Sequence, residues 1–217
     1  PWSAYYANIR MSNILIQAAP SSQTLSSEDA NGVLGVAKTV KAYQYLLALN
    51  LTNENGIRQQ IPEDINAVGE PLTKEQGFNL ISTLLDEAVG DLNNAGSTFF
   101  FTLPSGFSGF DTPAGFLQFN RGLRARVAAY TEDWPTVLTA LSNSFLDETG
   151  SLATGVYHDF TTNPNDQINP VFADPDAGSG DSWVAHPSFV ADAEAGDSRI
   201  DEKVQLRSST ASLDGLT

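Results

Sequence analysis

Apolar residues along this chain recur at three- and four-residue steps in five stretches, separated by polar or Gly- and Pro-containing runs. Each stretch predicts a helix with one buried face. The densest pattern lies at 113–146. Phe116, Phe119, Leu123, Val127 and Tyr130 mark one core face there, while Gly122, Ala125 and Ala129 form a small-residue face that another helix can approach closely. Arg121 and Arg124 lie away from the stripe. Trp134, Val137, Leu138, Leu141 and Phe145 repeat the pattern, entered through Asp133 as a cap and Pro135 in the first turn. Residues 131–133 leave room only for a tight reversal, so the spacing predicts two antiparallel helices packed on each other, the unit of helical-repeat scaffolds.

The same spacing predicts a helix over 3–19, with Trp2, Tyr6, Ile9, Asn13 and Ile16 on one stripe and Pro20 at its end. Asn13 is the odd member, and a buried amide there is expected to clamp a neighbouring helix's backbone. Ser26 and Asp29 can cap a second helix over 28–51, with Val33, Val36, Val40, Tyr43, Leu47 and Leu51 on or near its stripe. Gly32 and Gly35 weaken that helix by roughly 1 kcal/mol each, which predicts a close passage of another backbone. Tyr43 and Tyr45 straddle it as packing residues. Residues 53–72 are expected to be irregular. Thr73 and Gln76 form a capping-box pattern before Phe78, Ile81, Leu84, Leu85, Ala88 and Leu92, a third helix ending near Gly96. The run Phe99, Phe100 and Phe101 is expected to tuck under the helices rather than form a ligand platform. Beyond Gly150 helical periodicity stops, and short β segments are expected near Val171 and Trp183.

Composition narrows the function classes. The chain has 217 residues, 41% of them hydrophobic, enough for one sizeable core. We expect a helical core over 1–150 and a loop-rich extension over 151–217 packed on the same domain. With 26 Asp and Glu against 11 Lys and Arg, the net charge of −15 opposes binding to nucleic acid and anionic membranes. Cysteine is absent, which removes disulfides, thiol nucleophiles and cysteine-ligated metals. No apolar run approaches a membrane span, and the start at Pro1 suggests a processed or excised piece. Catalytic material is sparse. His158 and His186 are far apart in sequence, and no Ser sits in a nucleophile motif. The adjacent carboxylates Glu132 and Asp133, Asp147 and Glu148, and Asp201 and Glu202 have the look of solvated charge. Asp174, Asp176, Gly178 and Asp181 only partly follow a calcium-loop pattern and are expected to form an acidic turn.

Several of these residues together resemble the SusD/RagB family of surface nutrient-binding lipoproteins. Trp2, Tyr5, Tyr6, Ile9 and Asn13 followed by Ile14, Leu15 and Ile16 match its opening helix. Gly35, Val36, Ala37, Lys41, Ala42 and Tyr45 fall where the family has its G-E-A, R-A and Y helix. Leu85, Ala88 and Leu92 fit the next, and Leu123, Ala125, Arg126, Val127, Tyr130, Asp133 and Trp134 resemble its A-L-x-A-R-V-x-x-Y helix and the paired one after it. Residues 169–172 and Asp197, Ser198 and Arg199 resemble its N-E-x-I-F and D-P-R segments. Val36, Lys41 and Ser198 depart from the usual Glu, Arg and Pro.

The resemblance implies a mostly α fold of tetratricopeptide-like antiparallel helix pairs with a loop-rich C-terminal extension. It implies a non-catalytic protein without cofactor, held on the outer surface of the outer membrane by a lipid anchor absent from this chain. Its partner would be a SusC-like TonB-dependent transporter, for which it captures oligosaccharides or, in some members, peptides. Sugar capture pairs aromatic faces with pyranose rings and amides or carboxylates with hydroxyls, and Tyr157 and Trp183 are the candidate ligand-binding residues. The alternative is a helical-repeat adaptor that binds a peptide or protein partner. Aromatic rings at a loop-formed pocket favour the first; buried aromatics beside an open helical face favour the second.

Overall fold

The computed structural model describes residues 2–59, 69–172 and 184–205, and over them the protein is mostly helical. The order is α1 (Trp2–Ala18), α2 (Ser27–Thr52), β1 (Ile57–Arg58), β2 (Pro71–Leu72), α3 (Lys74–Asn93), α4 (Pro113–Tyr130), α5 (Trp134–Ser142), α6 (Pro187–Ala191) and α7 (Ser198–Lys203). The chain divides into two compact units, one of Pro1–Asp159 with Asn163–Asn165, the other of Phe160–Thr162 with Asp166–Thr217.

In the first unit each of α1 to α5 packs on the next. Side-chain neighbours fix the directions. Leu49 lies against Gly77 while Leu92 lies against Gly35, so α2 and α3 are antiparallel. Phe78 stacks on Tyr130 at 5.9 Å while Leu85 is bonded to Asn120, so α3 and α4 are antiparallel as well. The cap expected at Ser26 with Asp29 and the capping box expected at Thr73 with Gln76 are both present, each as a full capping box that satisfies amide hydrogens the first helical turn leaves unpaired. The core gathers Ile9, Ala42, Tyr45, Leu46, Leu49, Phe78, Ile81, Leu85, Leu123 and Val127.

The stripe expected on α3 is buried as written, whereas the one expected on α2 is not. Val33, Val36, Val40, Tyr43 and Leu47 are half-buried and Leu51 is exposed; the buried residues include Gly32, Gly35, Thr39, Ala42, Tyr45, Leu46 and Leu49. The reason is that α2 touches α1, α3 and α4, so small residues set its close faces and the valines lie between them. A Cβ on Gly35 would stand 2.5 Å from the Leu92 side chain and 3.3 Å from its backbone nitrogen, the close passage that this glycine allows.

On α5 the correction is larger. Trp134 and Leu138 are 58% and 70% exposed, and among its residues Ala140 alone is buried. The helix ends at Ser142 and packs chiefly on α4, so half of its apolar stripe has no partner among the described residues. The reversal before it holds Glu132 at φ 58. On α4 Ala129 and Tyr130 are exposed rather than covered, because α5 is short and its apolar start faces outward.

Within the connection of 53–72, expected to be irregular, Ile57–Arg58 and Pro71–Leu72 form two short strands, while 60–68 lie outside the described residues. Ile57 pairs with Leu72, and the Tyr6 hydroxyl donates to the Arg58 carbonyl at 3.0 Å while accepting from its amide at 2.9 Å, tying α1 to β1. Asn13 is fully buried, yet among the described residues neither amide atom of its side chain finds a hydrogen-bond partner, so the expected clamp is not made there. Phe99 and Phe101 stack at 4.9 Å and Phe99 meets Phe116 edge-on, as expected for packing, whereas Phe100 is exposed.

The second unit contains α6 and α7, which the loss of periodicity concealed because a helix of five or six residues shows barely more than one turn. His186 caps α6, and Asp197 caps α7 while pairing with Arg199. The extended contact here joins Phe160 to Gln167, not Val171, whose amide donates to Asn169 Oδ1 in a turn.

Candidate functional site: a trough beside α4

Three depressions on the first unit adjoin one another through shared lining residues, Gln118, Arg121 and Asn143, and are named together as a trough. The widest, about 760 Å³, is walled by loops 108–110 and 144–155 with Gln118 of α4. Gln118 also borders a second space of about 550 Å³ between the end of α3 and the start of α4. Arg121 and Asn143 join that to a third of about 370 Å³, where Asp86, Arg124, Thr136 and Thr139 meet.

The loop end mixes apolar rings with small polar groups. Phe110 and Phe145 pack edge to face at 5.1 Å, and Phe145 reaches Gly122 on α4. Ser108, Ser144, Ser151 and Thr154 border the space, and Asp147 is the one carboxylate among its described lining residues. Bonds from the Thr149 amide and hydroxyl hold Asp147 below the ordinary carboxylate pKa. The loops are fastened by the Tyr157 amide, which donates to the Gly106 carbonyl at 2.9 Å.

The helical end rests on a buried polar cluster that the sequence reading missed. Asn120 is fully buried and donates to Thr39 Oγ1 of α2 at 2.8 Å and to the Leu85 carbonyl of α3 at 3.2 Å. Its own oxygen accepts from Arg121 Nε at 2.8 Å, and Arg121 reaches both the Leu85 carbonyl and Asp86. Burial lowers the Arg121 pKa, against the opposing pull of Asp86. Arg124 donates through Nε to both Asp86 oxygens, at 3.2 and 3.1 Å. The signal for Asn120 was available, since it stands four residues after Phe116 and three before Leu123, inside the apolar stripe.

Of the candidate ligand residues, Tyr157 is 51% exposed, and its hydroxyl is spent on the Ala153 carbonyl within the same loop. It braces the loop wall. Trp183 lies outside the described residues, as does the acidic turn of Asp174, Asp176, Gly178 and Asp181. Among the described residues no three His, Asp or Glu side chains gather as for a metal, and no helix is long and apolar enough to cross a membrane. His186 Nδ1 lies 2.9 Å from Ser188 Oγ in a helix cap, and the three adjacent carboxylate pairs are exposed. Comparison with protein-family models, with curated proteins and with solved structures gives no match to this chain.

Proposed function

We propose that this chain binds oligosaccharides without catalysis, as the SusD/RagB resemblance implies. In that reading it stands on the outer face of an outer membrane by a lipid anchor and delivers ligand to a SusC-like TonB-dependent transporter. The observation that carries the reading is the loop-walled end of the trough, where the Phe110 and Phe145 rings lie among hydroxyls and the Gln118 amide. Open, mixed surfaces of this kind suit a ligand with apolar ring faces and many hydroxyls. Its single described lining carboxylate is fewer than the pair that glycoside hydrolysis uses. Consecutive antiparallel helices support the finer fold reading, a tetratricopeptide-like array of SusD type.

Calorimetric titration with neutral oligosaccharides and with short peptides tests the proposal. A saturable signal with a sugar, weakened roughly two- to tenfold in Gln118→Ala, is expected. Tryptophan fluorescence of Trp183→Ala in the same titration reports whether that ring takes part. Silence across the sugars with a saturable peptide response would replace the proposal by the adaptor reading, which the exposed Trp134 and Leu138 of α5 favour.

A further inference from the structure

The helical end of the trough carries chemistry that a neutral sugar does not need. Each of the three guanidinium nitrogens of Arg121 is engaged, by Asn120, the Leu85 carbonyl and Asp86. Arg124 differs. Its Nε is held by Asp86, and its two terminal nitrogens have no acceptor among the described residues, although the side chain is only 13% exposed and borders the 370 Å³ space. A guanidinium whose Nε edge is fixed and whose terminal fork is vacant is pre-oriented to donate two parallel hydrogen bonds to a planar carboxylate. The other polar groups of the space are committed internally. Thr139 donates to the Pro135 carbonyl, Asn143 Nδ2 to the Thr139 carbonyl, and the Thr136 amide to Asp133. Among the described side-chain nitrogens that line the space, the two without any acceptor are therefore the terminal ones of Arg124.

Charge agrees with that geometry. Two guanidiniums face Asp86 at this end, and Asp133, fully exposed at the start of α5 and bonded to its own Thr136, also feels the Arg124 charge, so two carboxylates match the two arginines. Elsewhere the chain is strongly acidic, −15 overall, so an anionic ligand is repelled by the molecule at large and meets least repulsion where the arginines balance the carboxylates.

We propose that Arg124 binds the carboxylate of an acidic sugar at the helical end of the trough, while the neighbouring rings of the same ligand lie toward Gln118 and the loop end. The ligand class is thus a uronic-acid oligosaccharide. This rests on the sugar-capture reading and narrows it.

The probes are tetragalacturonate and an alginate tetrasaccharide, each beside its methyl ester, which keeps length and stereochemistry but removes the charge, together with the neutral panel and a tetraglutamate peptide. At low salt the acid is expected to bind at least tenfold tighter than its ester. Arg124→Gln is expected to erase that difference while leaving ester affinity within about twofold, which also shows that the variant is folded. Arg124→Lys, which keeps the charge and loses the fork, is expected to restore part of the preference. Equal binding of acid and ester, or binding of the neutral panel alone, overturns the carboxylate site and leaves sugar capture standing. A response to tetraglutamate without any sugar overturns both.

Discussion

Helices α4 and α5 present the same apolar spacing, yet Phe116, Leu123 and Val127 of the first are buried while Trp134 and Leu138 of the second face outward. Periodicity states which residues share a face; it does not state whether anything covers that face. Interior helices have neighbours on two sides, and α5 has α4. Burial, not spacing, supplies the free energy, so equal patterns carry unequal stability.

The widest separation between interior and edge should come from truncating one apolar side chain in each. Phe116→Ala is expected to cost about 3–5 kcal/mol by denaturant unfolding, while Leu138→Ala stays within about 0.5 kcal/mol. Similar losses at both sites would mean that α5 is covered in solution, and the comparison would collapse. A smaller effect sharpens what the interior requires. Asn120→Leu removes donors to Thr39 and Leu85 and the acceptor for Arg121, and should lower stability by about 1–3 kcal/mol despite the added apolar surface. An unchanged unfolding midpoint would show that the cluster is not formed.

The smallest contrast lies between two lysines of α2. Lys38 forms ion pairs with Asp91 at 2.9 Å and Glu87 at 3.3 Å, which carry its pKa above the ordinary value even though burial opposes them. Lys41, buried and without an ion pair among the described residues, has its pKa lowered by burial. A raised lysine pKa contributes stability that is present below about pH 10.5 and fades as pH rises through the folded value. A lowered one costs stability at neutral pH, and the cost is relieved as pH climbs from the folded value toward 10.5. Lys41→Met should therefore raise stability by about 1 kcal/mol at pH 7, with the gain shrinking toward pH 10. Lys38→Met should lower stability at pH 7. Thermal melts at pH 7 and pH 10 read both signs.

Those helices also show how far the sequence could be read. The α3 stripe and both caps were legible because each depends on local spacing and on one buried face. The α2 stripe was misplaced, since a helix touched by three others buries its glycines and alanines, residues that hydrophobicity patterns undervalue. Asn120 was visible as a polar break in the α4 stripe, just as Asn13 breaks that of α1. What no pattern could foretell is that Asn120 finds partners on two helices and Asn13 finds none among the described residues. At the trough, Arg124 could be placed only off the apolar stripe, because its vacancy depends on Asp86, far away in sequence.

Asn120 has a mechanical consequence as well. Its amide touches Thr39 on α2 and Leu85 on α3 from its own seat on α4, so three helices are keyed at a single height. Sliding any one of them by a turn, about 5.4 Å, would strand that amide among apolar side chains. Greasy helix faces alone permit several registers of nearly equal energy; this dowel selects one, and it makes the array stiff to shear along its long axes.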